Sequence, residues 1–293
     1  LMNIGSTYDY CYKYDKALAY FDSALAIAKD IKNKSGVEII FMSIGATFDQ
    51  LTRFDQALAY YDSALVIARE TKDRMRAGSL LMYIGGIYNN LKLYDRALTY
   101  YDSARVAIEP LGIKDLEGVI LIYTGAAYRA LEQYDRALAV YDSALSIMRT
   151  IRDKRMEGVT LHNLGRTYCD LGQSSRALAY LDSALVIADA ISNRFRKAKI
   201  LNNIGEIFCA RKQYDRALTF YDSSLAIARS IEDRHTEGTT LNSIGYLYEQ
   251  RSATEKAISF YKQSIEIKES IREAFQRVDL KTYYIEAEKD VYK

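Results

Sequence analysis

The side chains best suited to catalysis are few in this chain. Its histidines are His162 and His235, and its cysteines are Cys11, Cys169 and Cys209. A nucleophile, a base and an orienting group must converge in one pocket, and the two histidines stand too far apart in sequence for us to expect them to meet. We therefore expect His162 to be an exposed surface histidine and Cys169 and Cys209 to be ordinary thiols.

Sequence motifs for disulfide frameworks, metal sites and nucleotide binding are missing as well. The cysteine count is odd and no CxxC occurs, which argues against a disulfide framework or a zinc site and favours the reducing cytoplasm. No phosphate-binding loop or dinucleotide fingerprint is present. Recurrent Asp-Ser pairs suit a solvated helix face better than a hydrolase: Asp62-Ser63, Asp102-Ser103, Asp142-Ser143 and Asp182-Ser183. We predict no catalytic residue, no metal, no cofactor and no enzymatic activity of this chain alone.

The charge balance restricts the kinds of partner. Lys and Arg number 40 against 38 Asp and Glu, so the formal net charge is +2. Nucleic-acid binding needs a clear basic excess, and a membrane-spanning helix needs a run of about 18 or more apolar residues. Neither is present, so we expect neither a nucleic acid nor a membrane as partner.

The strongest signal is a period of forty residues. It is marked by seven glycines in identical surroundings: Gly5, Gly45, Gly85, Gly125, Gly165, Gly205 and Gly245. Periods of 20–50 residues indicate stacked supersecondary units that cannot bury their apolar faces alone. We predict one continuous repeat array rather than two globular domains.

One repeat, 75–114, shows how each copy should fold. Apolar residues recur at steps of three and four first around Leu81 and Ile84 and then around Ala97 and Tyr101, which predicts two amphipathic helices with a short connection. A glycine inside a helix costs roughly 1 kcal/mol. We attribute Gly85 and its equivalents to close packing of the paired helices, with Tyr101 lying over the glycine.

This pattern resembles the tetratricopeptide repeat (TPR) family: a large apolar residue, Leu-Gly, Tyr, then Ala and an aromatic residue, and finally Pro. Two departures are the absence of the family tryptophan and the longer period. The resemblance implies an all-α, right-handed superhelical solenoid of about seven antiparallel helix pairs. The array covers residues 1–274, with the first repeat truncated at its N-terminus, and 275–293 form a C-terminal capping or linker helix.

The last thirty residues resemble the junction that precedes caspase-like CHAT protease domains. The matching phrases are Glu269-Ser270-Ile271-Arg272, Leu280-Lys281-Thr282 and Asp290-Val291-Tyr292. An ordinary helix that caps the last repeat is the alternative. If the resemblance holds, a protease domain follows in the same protein.

TPR arrays present their first helices on a concave surface that binds peptides, so the resemblance implies a partner site there. We inspected positions on the first helices that the motif does not use. Copies two to four offer apolar side chains beside small residues, and copies five to seven offer amides and charges. The predicted partner-binding residues are Met42, Met82, Tyr83, Ile122, Tyr123, His162, Asn163, Arg166, Asn202, Asn203, Glu206 and Asn242. No lysine stands at the positions inspected, so the Lys/Asn arrangement with which some relatives hold a C-terminal carboxylate is not expected.

Two functions remain open. The first is a scaffold that binds a protein or peptide partner in its groove, as the regulatory array of a CHAT-type protease. The alternative is the sensor array of a bacterial signalling protein, such as a histidine kinase or a transcription regulator. The sequence beyond Lys293 would separate them.

Overall fold

The chain folds into helices joined by short connections. The structure is a computed structural model that describes residues 1–11 and 13–291, with side chains given through residue 273 except at 272. Over these residues it contains α-helices and no strand, which confirms the predicted all-α fold of helix pairs. The chain divides into two compact units, residues 1–147 and 148–293.

The N-terminal unit holds three complete helix pairs and most of a fourth. Its helices are α1 (Met2–Tyr10), α2 (Tyr14–Asp30), α3 (Lys34–Gln50), α4 (Phe54–Glu70), α5 (Arg74–Asn90), α6 (Tyr94–Ile108), α7 (Lys114–Ala130) and α8 (Tyr134–Thr150). The unit boundary falls within α8. A short 3-10 turn, Glu109–Leu111, follows α6 and contains Pro110.

The C-terminal unit begins with the last residues of α8. It continues with α9 (Lys154–Asp170), α10 (Ser174–Ala190), α11 (Arg194–Ala210), α12 (Tyr214–Ser230), α13 (Arg234–Gln250) and α14 (Thr254–Val291). Residues 275–291 continue α14 without a break, so the division into an array and a capping segment stays a prediction. Tyr292 and Lys293, part of the predicted capping segment, lie outside the described residues.

Each pair is held together by an aromatic or aliphatic side chain that lies on a glycine. The fully buried Tyr101 of α6 packs on Gly85 of α5 so closely that a Cβ there would lie 2.6 Å from its ring. The same contact joins Gly125 to Tyr141 and Gly205 to Tyr221, while Leu181 replaces the tyrosine opposite Gly165. The predicted close-packing role of these glycines is therefore confirmed.

The helix ends are set by local chemistry. Within the described residues, the side chain at the N-cap accepts a backbone N–H in most full-length first helices, as Asp153 does from Met156 at 2.9 Å. Such caps satisfy N–H groups that the first turn leaves unpaired. Connections contain a residue in the left-handed region, for example Lys92 at φ 60°. This conformation ends one helix and turns the chain back along the next.

Candidate functional site: the first-helix face of the C-terminal unit

A polar depression of about 190 Å³ lies on the face formed by α9, α11 and α13, which we call the first-helix face. These are the first helices of three successive repeats. Equivalent turns of neighbouring helices bring residues about forty positions apart into one place. The lining residues are His162, Arg166, Lys199, Asn202, Asn203, His235, Thr236 and Thr239.

His162 is one of the residues that line this depression, and it contacts two others of the site. Its side chain is buried, with 4% of its surface exposed, so the prediction of an exposed histidine is wrong. The Nδ2 atom of Asn203 lies 2.7 Å from its Nε2 atom, and Nη1 of Arg196 lies 3.4 Å from its Nδ1 atom. Guanidinium and amide N–H groups only donate, and a neutral imidazole has one accepting nitrogen, so His162 accepts from one of these two groups at a time. His162 thus orients Asn203 and Arg196 from within the protein.

The second histidine also belongs to this site. His235 begins the first turn of α13, is exposed to solvent, and lines the same depression as His162. Their sequence separation predicted that the two histidines would not meet, yet both line this depression. The neighbouring repeat brings the N-terminal turn of α13 beside the middle of α11, a relationship that sequence separation does not show.

A second set of polar side chains lies further along α11. Asn202 is 3% exposed and donates from Nδ2 to Oε1 of Glu206 at 2.9 Å, and the Ser243 hydroxyl lies 3.4 Å from the same oxygen. Glu206 is open to solvent, yet the surrounding atoms of the face desolvate it. This desolvation raises the pKa of the Glu206 carboxyl, against the opposing effects of Asn202, Arg166 and Ser243.

Cations dominate the part of the depression towards the start of α11. The Nζ atom of Lys199 lies 4.0 Å from the ring centroid of Phe195, a cation–π contact. Burial lowers the pKa of Lys199, and Arg196 and Arg166 lower it further, whereas Asp233 acts in the opposite direction. The pKa of Arg196 is lowered by burial and by the neighbouring Arg155 and Arg166. Positive charge is therefore concentrated here in a partly desolvated place.

The remaining predicted residues of this unit are divided. Arg166 lines the depression together with Asn202 and Asn203. Asn163 of α9 is half-buried and Asn242 of α13 is exposed, and neither contributes to the lining. The structure therefore brings His162, Arg166, Asn202 and Asn203 together in one lining, and Asn163 and Asn242 are not part of it.

The predicted residues of the N-terminal unit do not form an open apolar surface. Met82 and Ile122 are buried, with 6% and 4% of their surfaces exposed. Tyr83 and Tyr123 are exposed and stack on core tyrosines of the preceding helix pair, with ring centroids 5.6 Å from Tyr61 and 6.0 Å from Tyr101 respectively. Met42 is half-buried. A partner could thus reach Met42 and the two tyrosines, but Met82 and Ile122 belong to the core.

With this geometry established, the comparisons with known proteins decide the family. One family model of the tetratricopeptide repeat matches residues 76–150, 119–190 and 196–270. A second matches residues 1–35 and 41–75. The chain belongs to the tetratricopeptide repeat family. No curated protein matches this TPR chain in sequence.

Several solved structures share the TPR fold. The apo form of RapI superposes with a TM-score of 0.78 at 16% identity, over 93% of this chain and 97% of that one. Aspartyl phosphate phosphatase F from Bacillus subtilis gives 0.76 at 14% identity, over 91% and 69%. The Rap conjugation gene regulator of plasmid pLS20, in complex with the Phr* peptide, gives 0.73 at 18% identity, over 94% and 74%. At these identities the likeness establishes the fold.

Sequence reasoning missed several residues of the TPR site. Arg196, Lys199 and Thr236 do not stand beside the motif glycine, so the positions that flank this glycine do not include them. Arg196, Lys199, Asn203 and Glu206 follow one another at steps of three or four residues in α11, and the same spacing places Thr236, Thr239 and Ser243 on one side of α13. Such a polar stripe on two first helices was the signal available.

Two thiols of the TPR array, Cys169 and Cys209, are poor nucleophiles. Burial, followed by the charges of Glu206 and Asp170, raises the pKa of Cys169 to about 11. Burial also raises the pKa of Cys209. Among the residues that the structure describes, no group of three or more His, Cys, Asp and Glu side chains could hold a metal ion. No helix within the same residues is long and apolar enough to cross a membrane.

Proposed function

We propose that this TPR chain is a protein–protein interaction scaffold that binds a peptide or protein segment across the first-helix face of its C-terminal unit. The observation that carries the proposal is the depression among α9, α11 and α13, where amides, hydroxyls and cations converge. Arrangements of this kind bind a ligand by polar contacts rather than by a large apolar area.

The available hydrogen-bonding groups suit a polypeptide. Asn203 of α11 lines the depression, and Asn163 and Asn242 belong to the neighbouring first helices α9 and α13. An amide side chain both donates and accepts, so it can pair with the N–H and the C=O of a backbone that crosses the helices. Tyr83, Tyr123 and Met42 offer a separate apolar contact on the N-terminal unit.

The depression is too small to be the whole site. Pockets for small molecules and cofactors usually measure about 300–1,000 Å³, whereas this one measures about 190 Å³. It has room for one side chain or a short stretch of a partner. This favours a scaffold over an enzyme that encloses a substrate.

For the cellular context, we propose that the chain is the regulatory TPR region of a bacterial, cytoplasmic CHAT-type protease, with the protease domain in the same protein. The resemblance of residues 264–293 to the junction before such domains supports this context. Beyond residue 273 the side chains of that segment lie outside the described residues. The alternative is the sensor region of a bacterial signalling protein. The shared fold of the Rap conjugation regulator, whose structure contains a bound peptide, favours this second context.

Binding can be tested with the full chain. The tagged protein is incubated with lysate, and proteins retained after stringent washing are identified and re-tested in purified form by calorimetry. Replacing Asn163 and Asn203 together by Ala should weaken binding by about 5- to 150-fold, because each lost hydrogen bond is worth roughly 0.5–1.5 kcal/mol. Asp182→Lys, on the exposed side of the second helix α10, is the matched control and should bind normally. Full affinity in the double variant with loss in the control would place binding on the opposite surface.

The context has its own test. Reading the gene beyond the codon for Lys293 should reveal a His/Cys protease domain. A kinase, a coiled coil or a DNA-binding helix at that position would instead support the signalling alternative.

A further inference from the structure

The depression on the first-helix face contains buried polar atoms that the protein leaves without partners. Within the described residues, neither Oγ1 of Thr236 nor Oδ1 of Asn202 has a hydrogen-bond partner, and the two residues are 2% and 3% exposed. An unpaired buried polar atom costs roughly 1–3 kcal/mol, so such atoms are rare and need an explanation. Both residues line the depression, where a bound group or ordered water could satisfy them.

Two cations of the same place, Arg196 and Lys199, form no salt bridge with a carboxylate of the described residues. Nη1 of Arg196 lies 3.4 Å from Nδ1 of His162. Arg196 forms no ion pair with any carboxylate that the structure describes. Its equivalent in the N-terminal unit, Arg76, donates to Glu38 at 3.1 Å. The residue equivalent to Glu38, which stands 38 positions before Arg196, is Gly158, so this arginine has no such carboxylate.

Lys199 is the cation that a ligand would meet. It lines the depression, whereas Arg196 lies behind His162. Its ammonium group lies over the face of Phe195. None of the eight lining residues is acidic. Of the nearby carboxylates, Glu206 accepts from Asn202, and Asp233 caps α13 by accepting the Thr236 N–H with Oδ1. The charge of Asp233 acts on Lys199, but the two form no salt bridge in the described residues.

We infer that this depression binds an acidic side chain, Asp or Glu, of a peptide that lies across α9, α11 and α13. The inference rests on the proposed function and names the chemistry of its ligand. The carboxylate pairs with Lys199 and accepts from the Thr236 hydroxyl. A backbone N–H of the peptide donates to Oδ1 of Asn202.

Two observations favour this occupant over other anions. An unpaired acceptor such as Oδ1 of Asn202 disfavours inorganic phosphate, which has no N–H to offer, but it matches the amide beside an acidic residue of a peptide. The volume of about 190 Å³ equals roughly six water molecules at about 30 Å³ each and so takes one side chain.

The test uses sub-libraries of N-acetylated, C-amidated nonapeptides with randomised flanks. The central residue is fixed as Glu, Asp, Gln, Lys or phosphoserine. The full 293-residue chain is immobilised, and the fraction of each sub-library retained is measured at 50 mM salt, because exposed charges are screened more strongly at higher salt. The Glu and Asp sub-libraries should be retained at least tenfold better than the Gln sub-library, a difference of about 1.4 kcal/mol.

Variants connect this preference to the depression. Lys199→Gln should abolish the preference for acidic peptides, and Thr236→Val should reduce it. The matched control is Lys197→Gln, which removes a lysine of the same helix that is paired with Asp189 outside the depression. This control should keep the preference. Circular dichroism of each variant verifies that it is folded.

The outcomes separate the two proposals. Retention of peptides without an acidic preference, or an acidic preference that survives Lys199→Gln, would overturn this inference and leave the scaffold function standing. A stronger preference for phosphoserine would overturn it in favour of a phosphate site. Retention of no peptide from any sub-library would count against the scaffold function and against this inference together.

Discussion

The ring of Tyr101 occupies the space that a side chain at Gly85 would need. A Cβ at this glycine would lie 2.6 Å from Cε1 and 2.7 Å from Cδ1 of the ring, and 3.3 Å from the carbonyl oxygen of Ala97. The next residue, Gly86, has no atom within 4 Å of its would-be Cβ. Two adjacent glycines in one helix therefore carry opposite constraints.

Gly85→Ala should lower the stability of the protein, because the methyl group forces the fully buried Tyr101 from its position. Overpacking of this kind typically costs about 1–3 kcal/mol. Gly86→Ala should instead raise stability by about 0.5–1 kcal/mol, since alanine restricts the unfolded chain and favours the helix. Chemical denaturation of both variants provides the comparison. Equal effects of the two substitutions would show that the tyrosine contact does not limit the approach of the helices.

Lys92→Gly should stabilise the protein. Lys92 has φ 60°, a left-handed conformation that costs an L-residue roughly 1–2 kcal/mol. Glycine removes that cost but gives the unfolded chain more freedom, so the net gain should be about 0.5–1 kcal/mol. The chain contains its own precedent, because Gly172 occupies the equivalent position at φ 70°. Gly172→Lys should destabilise by a similar amount, and thermal unfolding of the pair measures both changes.

Two buried carboxylates should respond to pH in opposite directions. Burial by itself would raise the pKa of Glu157, but hydrogen bonds and charges from Lys154 and Arg149 outweigh it, and the pKa is lowered. The stability that Glu157 contributes is therefore fully present above the pKa of the unfolded chain. It is lost as the pH falls through the folded pKa. Glu157→Gln should cost about 1–2 kcal/mol at pH 7, and the cost should shrink as the pH approaches 3.

Glu38 is also buried, but its pKa is shifted in the opposite direction. Its burial outweighs the hydrogen bond and charge of Arg76, so the pKa of Glu38 is raised. The folded protein then favours the protonated form, and stability decreases as the pH rises towards the folded pKa. Glu38→Gln should cost less than Glu157→Gln at pH 7, and its effect should become less favourable as the pH falls. Melting temperatures of both variants between pH 3 and 7 test this, and parallel pH profiles would contradict it.

The three cysteines should differ sharply in reactivity. Cys11 is exposed, Cys169 is half-buried and Cys209 is buried. Since the thiolate is the reactive form, the raised pKa values of Cys169 and Cys209 should leave them nearly unmodified by iodoacetamide at pH 8 while Cys11 reacts. Peptide mass mapping gives the rate at each site. Faster alkylation of Cys169 than of Cys11 would indicate an activated thiol that the structure does not contain.

The sequence predicted the helix pairs because the residues that form them repeat. Gly85, Ala97 and Tyr101 recur at fixed spacing, and each contact they make lies inside one pair, so a single repeat contains all the information needed. Even the substitution of Leu181 for tyrosine keeps the contact with its glycine.

The candidate site could be predicted only in part, because it is formed by residues that do not repeat and that meet across neighbouring repeats. Burial of His162 depends on Arg196 and Asn203, which belong to the next copy. Whether an arginine finds a carboxylate also depends on the adjacent copy. Arg76 pairs with Glu38, whereas among the side chains described Arg196 contacts His162 and no carboxylate. Spacing predicts which side of a helix a residue occupies, but not which partner the neighbouring helix provides.

The equal helix lengths have an evolutionary consequence. In the C-terminal unit, α9 to α13 each contain 17 residues and are joined by three-residue connections. Duplication or deletion of one forty-residue segment would therefore join two ends that already fit, since the new neighbours present the same glycine with an aromatic or aliphatic side chain packed on it. Point changes at a handful of first-helix positions could then alter ligand choice independently. The number of repeats and the residues that contact a ligand can therefore change independently during the evolution of such a gene.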